Sequence, residues 1–456
     1  MRTYLLRRLF LFLPTLLVVS VFVFWLSEQT PGDPLVDRTE AEGIQFLAGT
    51  TYAKQQQTYR EVARRYRLDR PAFYFTLTSR AFPDDLHTVL RRDQRTARRR
   101  MIERTGTGTS VMRYFNAIEN ALLVGHSERK LLEQLATAHR PERITALLNQ
   151  LRRSDQVLSE TLRQLSNNVH RLSNSPTSQR YQPKLIWHGT DNRYHAWMAG
   201  VLRGDFGRSY QSGQYVLDRI APALHWTLLL SFSALLLSYV FGTLIGVYAA
   251  RHGGQRRDRW IGIGLFALYS LPVFWVATLL LLFFTNPVYG MNWFAGPGLG
   301  DLPPEAPFWA RFGERAWHLL LPVLCLTYPS LAFISRQVRA ATLRALGSTY
   351  VLSARARGLP ERTIVWRYAF RNALFPLITL ASRILPAAVA GALIVELVFN
   401  LPGMGRLTIL SIQSQDYPTL FTIVLLAAVL TVVGVFVSDV LFALADPRVR
   451  FNRRAA

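Results

Sequence analysis

The sequence predicts an all-α polytopic membrane protein that carries a large polar insertion. Half of its residues are hydrophobic, and they are gathered into runs long enough to cross a bilayer. The short segments between most of these runs are rich in arginine, which gives a formal net charge of +24. A soluble protein with this charge would suggest a nucleic-acid partner, but the clustered apolar residues indicate a membrane instead. We therefore expect contact with membrane lipid and none with nucleic acid.

The first apolar run, residues 9–26, predicts a transmembrane helix rather than a cleaved signal peptide. The run is long for the apolar part of a signal, and Phe24-Trp25-Leu26 offers no small residues for cleavage. Arginines lie within the first eight residues, so the N-terminus is expected in the cytoplasm. Residues 1–27 are accordingly assigned to a cytoplasmic end and a first span.

Residues 28–223 predict a long extracytoplasmic region that is polar and helical in pattern. Between about 76 and 190, apolar residues recur at spacings of three and four, which indicates an inserted helical hairpin or small bundle. These residues are Leu131, Leu132, Leu135, Ile144, Leu147, Leu148, Leu151, Leu158, Leu162 and Leu165. Large domains translocate regardless of their charge, so the basic character of the region does not oppose this placement.

Residues 224–447 predict a core of five further spans, and residues 448–456 form a basic cytoplasmic tail. The spans are expected at about 224–249, 260–284, 318–334, 377–399 and 420–444. With the first helix they make six spans, and both termini then lie in the cytoplasm of a multi-pass inner-membrane protein.

The stretch 340–376 lies between two of these spans and is strongly basic. Leu343, Leu346, Tyr350 and Ala354 form a helical stripe. Gly358 follows where a helix C-terminus needs positive φ, and Pro360 suits the first turn of a new helix. The pattern predicts two short helices that meet at a glycine hinge. An ordinary basic cytoplasmic loop would share this composition, so composition alone leaves both interpretations open.

Two carboxylates lie in or near predicted spans. Glu396 is at the end of the fifth span and Asp439 is within the sixth. Ionisable groups are costly there and usually face the protein interior or a water-filled path. Each is a candidate for the substrate path or gate, and the alternative is a structural contact at a subunit interface.

Motifs for binding ATP, zinc or a dinucleotide are either missing from the sequence or lie in the wrong context. A phosphate-binding Walker loop requires Gly-Lys, and none of the three lysines follows a glycine, so we expect no ATP hydrolysis by this chain and no cofactor. His/Cys clusters with zinc spacing are missing from the sequence, so no metal is expected. Gly262-Ile263-Gly264-Leu265-Phe266-Ala267 formally fits a dinucleotide fingerprint, but it lies within a predicted span. Its glycines are expected to permit close helix packing.

The order of residues in the basic stretch resembles the ATPase-docking loop, or EAA motif, of dipeptide and oligopeptide ABC-transporter permeases. The matching residues are Tyr350, Ser353, Ala354, Arg355, Ala356, Arg357, Gly358 and Leu359, followed by Arg371, Asn372, Ala373, Leu374 and Pro376. The similarity continues through Gly391-Ala392, Glu396, Phe399, Pro402-Gly403-Met404-Gly405-Arg406-Leu407, Asp416-Tyr417-Pro418 and Asp446-Pro447-Arg448. It covers residues 1–75 and 190–450, so the insertion departs from the family.

This resemblance implies the permease fold of a type I ABC importer, with six transmembrane helices and an inserted extracytoplasmic helical domain. It implies a second homologous permease, two cytoplasmic ATP-binding subunits docked near Gly358, and an extracytoplasmic substrate-binding protein. Alternating access driven by the ATPases would move peptides, while related permeases carry nickel chelates or glutathione. A membrane-anchored sensor or scaffold that uses the insertion to bind a ligand is the alternative from another class. A stand-alone secondary transporter would instead require an internal inverted repeat, which the sequence lacks.

Overall fold

The computed structural model describes residues 2–29, 52–65, 67–124, 128–173, 181–288, 290–371, 374, 377 and 392–445. The chain divides into two compact units. One comprises Phe24–Gly213, and the other comprises Met1–Val23 with Gln214–Ala456. The first helix, α1 (Arg2–Gln29), contributes residues to both units.

The unit formed by Phe24–Gly213 is a helical bundle with a two-stranded antiparallel ribbon. Its helices are α2 (Tyr52–Arg65), α3 (Arg92–Thr105), α4 (Gly108–Val124), α5 (Arg129–Thr137), α6 (Pro141–Leu151), α7 (Gln156–Ser173) and α8 (Arg193–Leu202). The ribbon pairs β1 (Phe75–Ser79) with β2 (Pro183–Trp187). β1 lies at the start of the predicted insertion and β2 lies at its end. Their pairing brings the two ends of the insertion together. This ribbon is absent from the all-α prediction, because each strand is only five residues long.

The bundle core confirms the helical spacing of the insertion. Leu132, Leu135, Leu151 and Leu162 have no exposed surface, and they pack into one apolar cluster with residues of α3 and α4. Burial of a leucine side chain contributes about 1.5–3 kcal/mol, so each leucine of this stripe stabilises the bundle. In its described residues the insertion is therefore a bundle of five α-helices, α3 to α7, rather than a hairpin.

The other unit contains long apolar helices together with several short helices. They are α9 (Val216–Arg251), α10 (Arg256–Ser270), α11 (Val273–Thr285), α12 (Phe308–Leu346), α13 (Thr349–Ala356), α14 (Glu361–Thr363), α15 (Leu393–Val398), α16 (Met404–Gln413) and α17 (Tyr417–Ala445). Among the described residues, four helices of the chain are long and apolar enough to span a membrane, or five if α10 and α11 form one broken span. Most of the predicted fifth span, residues 378–391, lies outside the described residues.

The third predicted span is broken in the structure. Its two halves, α10 and α11, meet at an angle of 92°. The break falls at Leu271-Pro272, and Pro272 is the N-terminal cap residue of α11. Proline has no N–H and disfavours helical geometry in the residue before it, so the helix ends there.

Helices α9 and α12 pack closely through two glycines. A Cβ on Gly246 would lie 2.6 Å from the carbonyl oxygen of Ser335, and one on Gly242 would lie 3.0 Å from the Ile334 side chain. This is the G-x-x-x-G contact of membrane helices, in which small residues let two backbones approach. The sequence analysis assigned close packing to Gly262 and Gly264 instead. That prediction is wrong for the described part of the chain, where no atom lies within 4 Å of a Cβ built on either.

Candidate functional site

The basic stretch that follows α12 forms a folded loop over residues 347–371. α12 ends at Leu346, and α13 begins at Thr349 after a break at Gly347-Ser348. The predicted stripe from Leu343 to Ala354 is therefore divided between two helices. After α14 the chain continues as a π-helical stretch, Ile364–Ala369. Such stretches are rare and are frequent at functional sites.

Gly358 ends α13 in the conformation that the sequence predicts. Its φ is +75°, and its N–H donates to the carbonyl of Arg355 at 2.9 Å. The N–H of Leu359 reaches back to the carbonyl of Ala354 at 3.5 Å, which completes a Schellman motif. Among the residues that the structure describes, none has an atom within 4 Å of a Cβ built on Gly358. The glycine is therefore required by the backbone conformation and not by space.

A small apolar core lies beneath this turn. Val351, Ala354 and Ile364 have at most 1% of their surface exposed, and Leu359 packs against them. The core joins α13 to the segment after the hinge, so the two arms cannot separate without exposing apolar surface. Ala354 is one of the predicted docking residues, and because it is buried it acts on the site only through this packing.

The outer surface of the loop carries the rest of the predicted docking residues. Those with exposed surface are Tyr350, Ser353, Arg355, Ala356, Arg357 and Gly358, while Leu359 is half-buried. Arg355 donates from Nε to Glu361 Oε1 at 2.9 Å, so an ion pair spans the hinge. This pair neutralises one arginine, and Arg357 and Arg362 remain exposed beside it. The exposed surface of the loop is therefore polar and basic.

The loop is packed onto the long helices through its π-helical stretch. Val365 is buried in a cluster with Val247 of α9 and with Ile334 and Val338 of α12. A groove of about 660 Å³ lies alongside, lined by α9, α10 and the loop residues Arg362, Val365 and Trp366. A displacement of the loop would therefore change its packing against α9, α10 and α12.

An ion pair that the sequence analysis missed fixes α10 to α12. Asp258, in the first turn of α10, is 4% exposed and accepts from Arg339 Nε at 2.5 Å and Nη2 at 2.6 Å. The N–H of Gly254 donates to the same carboxylate at 3.0 Å. The only signal in the sequence was a single acidic residue within the basic linker 251–259.

Glu396 is completely buried, and its carboxylate is bound by groups of the same chain. Oε1 accepts from the hydroxyl of Thr227 on α9 at 2.7 Å. Oε2 accepts from the N–H groups of Gly405 and Arg406 at 2.7 and 3.1 Å. These N–H groups are in the first turn of α16, where a negative charge is stabilised by the helix dipole. Thr227 in turn accepts from the N–H of Met404 at 2.8 Å.

The Pro402-Gly403-Met404-Gly405 sequence is explained by this contact. A Cβ on Gly403 would overlap the Glu396 carboxylate, and one on Gly405 would overlap the backbone of Leu393. Neither glycine has positive φ. Both are required because the chain passes directly over the carboxylate.

Two further acidic residues lie in the same unit. Asp416 is completely buried and accepts from Arg219 Nη1 and Thr419 Oγ1, each at 2.6 Å, which ties the start of α9 to the start of α17. Asp439, the second residue predicted for the path, is half-buried on α17. The path or gate role of Glu396 and Asp439 stays a prediction. No set of three or more potential metal ligands occurs among the described residues.

Sequence reasoning missed Thr227, Arg219 and Arg339, which are the partners of the buried carboxylates. Each is far along the chain from its partner, with separations of 169, 197 and 81 residues. No feature of the sequence marked Thr227 or Arg219 as a partner of a buried carboxylate. Arg339, an arginine one residue before the basic stretch 340–376, was indistinguishable from the others by sequence.

Comparison with known proteins gives consistent matches. Residues 242–451 match the family model described as binding-protein-dependent transport system inner membrane component. The oligopeptide transport system permease protein AppB of Bacillus subtilis is 31% identical over 57% of this chain and 80% of its own. The di/tripeptide transport system permease protein DppB of Pseudomonas aeruginosa is 33% identical over 57% of this chain and 81% of its own. The peptidoglycan transport system permease protein YejB of Agrobacterium fabrum is 30% identical over 58% and 72%.

Among solved structures, the MetNI methionine ABC transporter in inward-facing conformations matches at a TM-score of 0.40 and 18% identity. The match covers 50% of this chain and 97% of the other.

The long apolar helices are those of a multi-pass membrane protein, and the family match makes it an inner-membrane protein of the transport class. The family match and the relatives identify the family within this class. The chain belongs to the family of binding-protein-dependent transport system inner membrane components, among the peptide-permease relatives of that family.

Proposed function

We propose that this chain is a permease subunit of an ATP-driven ABC importer for di- or oligopeptides. It would pair with a second homologous permease and receive substrate from an extracytoplasmic binding protein. Two cytoplasmic ATP-binding subunits would engage the loops of the two permeases, and both termini of this chain would be cytoplasmic. The observation that carries the proposal is the loop centred on Gly358, which has an exposed polar surface outside and a buried apolar core inside.

This geometry supports alternating access driven by the ATPases. A force applied to the exposed face of α13 passes through Val351, Ala354 and Ile364, because these buried residues join the two arms of the hinge. Val365 then passes it to α9 and α12. The loop can therefore act as a lever on the spans, while the hydrolysis of ATP resides on the partner subunits.

The peptide substrate rests on the printed names of the relatives, which describe oligopeptide and di/tripeptide transport. Nickel chelates and glutathione are the alternative cargoes. Within this proposal, Glu396 acts on the path through the segment 403–406 that it binds, since its carboxylate is already occupied. Asp439 is the candidate for direct contact with the cargo.

The test compares substitutions at Gly358 in the complex purified from its native host. Gly358→Val should leave membrane levels normal but abolish peptide uptake in proteoliposomes, because a β-branched residue at positive φ costs about 1–3 kcal/mol and displaces the second arm. Gly358→Asn should retain most uptake, because asparagine tolerates this conformation. A matched control is Gly254→Val, since Gly254 also has positive φ (+80°) and open space around it but lies in the linker 251–259.

Full uptake by Gly358→Val would contradict the docking assignment. Equal loss in Gly254→Val would show that backbone strain in any loop of this unit is damaging, and it would remove the special role of Gly358. A membrane-anchored sensor, the alternative from another class, predicts that none of these substitutions changes ATP turnover by copurified subunits.

A further inference from the structure

The ribbon in the unit Phe24–Gly213 presents one apolar face to solvent. In its register Phe75 lies opposite Trp187 and Leu77 lies opposite Leu185, so these four side chains share a face. Their exposed fractions are 53%, 71%, 71% and 64% for Phe75, Trp187, Leu77 and Leu185. A contiguous patch of large apolar side chains is unusual on a soluble surface and marks a binding face.

The opposite face of the ribbon is polar and is bound to its own unit. Thr76 Oγ1 lies 3.0 Å from His188 Nε2, and Lys184 Nζ donates to Asp84 Oδ1 at 2.5 Å. These contacts fix the orientation of the ribbon. The apolar face is therefore held outward by the structure.

The ribbon begins beside the end of an apolar helix that can span a membrane. Phe24 belongs to the candidate span Phe10–Gln29, and its ring lies 5.1 Å from that of Phe73, two residues before β1. The ring of Tyr194 lies 5.4 Å from Phe24. His188 donates from its N–H to the carbonyl of Tyr74 at 2.8 Å, so the Phe75–Trp187 pair is the end of the ribbon nearest this aromatic cluster.

The position and composition of this face point to lipid. Tryptophan and tyrosine are concentrated where a span leaves the bilayer, because their rings are apolar and their N–H or O–H groups remain hydrated. Trp187 and Phe75 lie at the end near the span, and Leu77 and Leu185 continue the face outward. Arg80, exposed directly after β1, supplies a positive charge for lipid phosphate at the other end.

We propose that the apolar face of this ribbon inserts into the headgroup and acyl boundary of the leaflet at which α1 leaves the membrane. The occupant is phospholipid, bound through Phe75, Leu77, Leu185 and Trp187. The ribbon thereby anchors the inserted bundle to the membrane surface at a second point besides α1. This inference does not depend on the nature of the transported cargo.

The test places a nitroxide spin label on each face of the ribbon in the full chain. Leu77→Cys and Leu185→Cys label the apolar face, and Thr78→Cys is the matched control on the adjacent residue of the other face. The lone native cysteine, Cys325, is buried and stays unlabelled in the folded protein. Each variant is reconstituted in nanodiscs of phosphatidylethanolamine with a minority of phosphatidylglycerol. Collisions with oxygen, which concentrates in lipid, are compared with collisions with an aqueous nickel chelate.

Labels at 77 and 185 should collide several-fold more with oxygen than with the nickel chelate, and the label at 78 should show the reverse. Equal access of nickel to all three labels in nanodiscs would overturn the proposal. Protection of 77 and 185 that arises only when the intact native complex is reconstituted would also overturn it, because the face would then bind protein. Using two positions on the apolar face guards against one variant that folds poorly.

Discussion

The loop around Gly358 and the Glu396 site use the same helix ending but are held in place differently. Gly358 and Asn400 both have positive φ, +75° and +54°, and both end a helix with a Schellman motif. At Asn400 the N–H of Leu401 donates to the carbonyl of Glu396 at 2.8 Å. The apolar core beneath Gly358 joins residues within about twenty positions of one another, and the π-helical stretch that follows packs on α9 through Val365. Glu396, by contrast, is itself hydrogen-bonded to Thr227, which lies 169 residues away.

This difference sets how much each part exposes when it is displaced. The hinge buries only the small apolar core of Val351, Ala354 and Ile364 and keeps its polar groups in water, so displacing it exposes few buried groups. The Glu396 carboxylate is fully buried and fully hydrogen-bonded, so displacing it would leave charged and polar groups unpaired. The same helix ending therefore occurs in two settings that differ in how deeply the polar groups beside it are buried.

Glu396→Ala should give the largest loss of stability. It removes the acceptor of the Gly405 and Arg406 N–H groups and of the Thr227 hydroxyl, and a buried unpaired donor costs about 1–3 kcal/mol. We expect unfolding to be easier by roughly 3 kcal/mol or more. Thermal unfolding in detergent can be followed with a fluorogenic thiol reagent, because Cys325 reacts only when it becomes exposed.

Glu396→Gln is the control for this prediction. Its carbonyl can still accept on one side, but its amide group cannot accept on the other, so its stability should lie between the wild type and Glu396→Ala. An unchanged melting temperature in Glu396→Ala would mean that the carboxylate does not support the segment 403–406, and the comparison with the loop would fail.

Gly405→Ala should have a smaller effect of the same kind. The added methyl group would meet the backbone of Leu393 and the Glu396 carboxylate, and overpacking of this sort costs about 1–3 kcal/mol. Gly264→Ala is the matched control, because open space surrounds that glycine within the described chain. Its unfolding free energy should change by no more than about 1 kcal/mol, with a gain expected from helix propensity. Equal destabilisation by both substitutions would contradict the close-approach explanation.

Glu361→Gln should give the smallest effect. The Arg355–Glu361 pair is about half exposed on both sides, and exposed pairs contribute about 0–1 kcal/mol. The same thiol assay should show a minor shift, and high salt should remove the difference between variant and wild type because it screens the pair. A loss above about 2 kcal/mol would mean that the hinge depends on this pair more than on its apolar core.

The sequence by itself determined the features that depend on a short window of residues. The apolar runs predict the long helices, and the leucine spacing predicts the helical insertion, which the buried Leu132, Leu135 and Leu151 confirm. Gly358 was predicted at positive φ because the signals of a helix end, a glycine followed by a proline, lie within a few residues. Contacts between neighbours three or four apart recur in every helix, so they can be predicted without knowing the fold.

Only the tertiary structure decided which distant groups meet. Glu396 was predicted to lie near the transport path, but its pairing with Thr227 and with the first turn of α16 depends on how α9, α15 and α16 pack. The glycines that matter for helix contact are Gly242 and Gly246 rather than Gly262 and Gly264, because α12 lies against one glycine pair and not against the other. The pairing of Phe75 with Trp187 is of the same kind, since a strand acquires its register only from its partner. The identity of a partner far along the chain is set by the packing of whole elements, and no local pattern of residues encodes it.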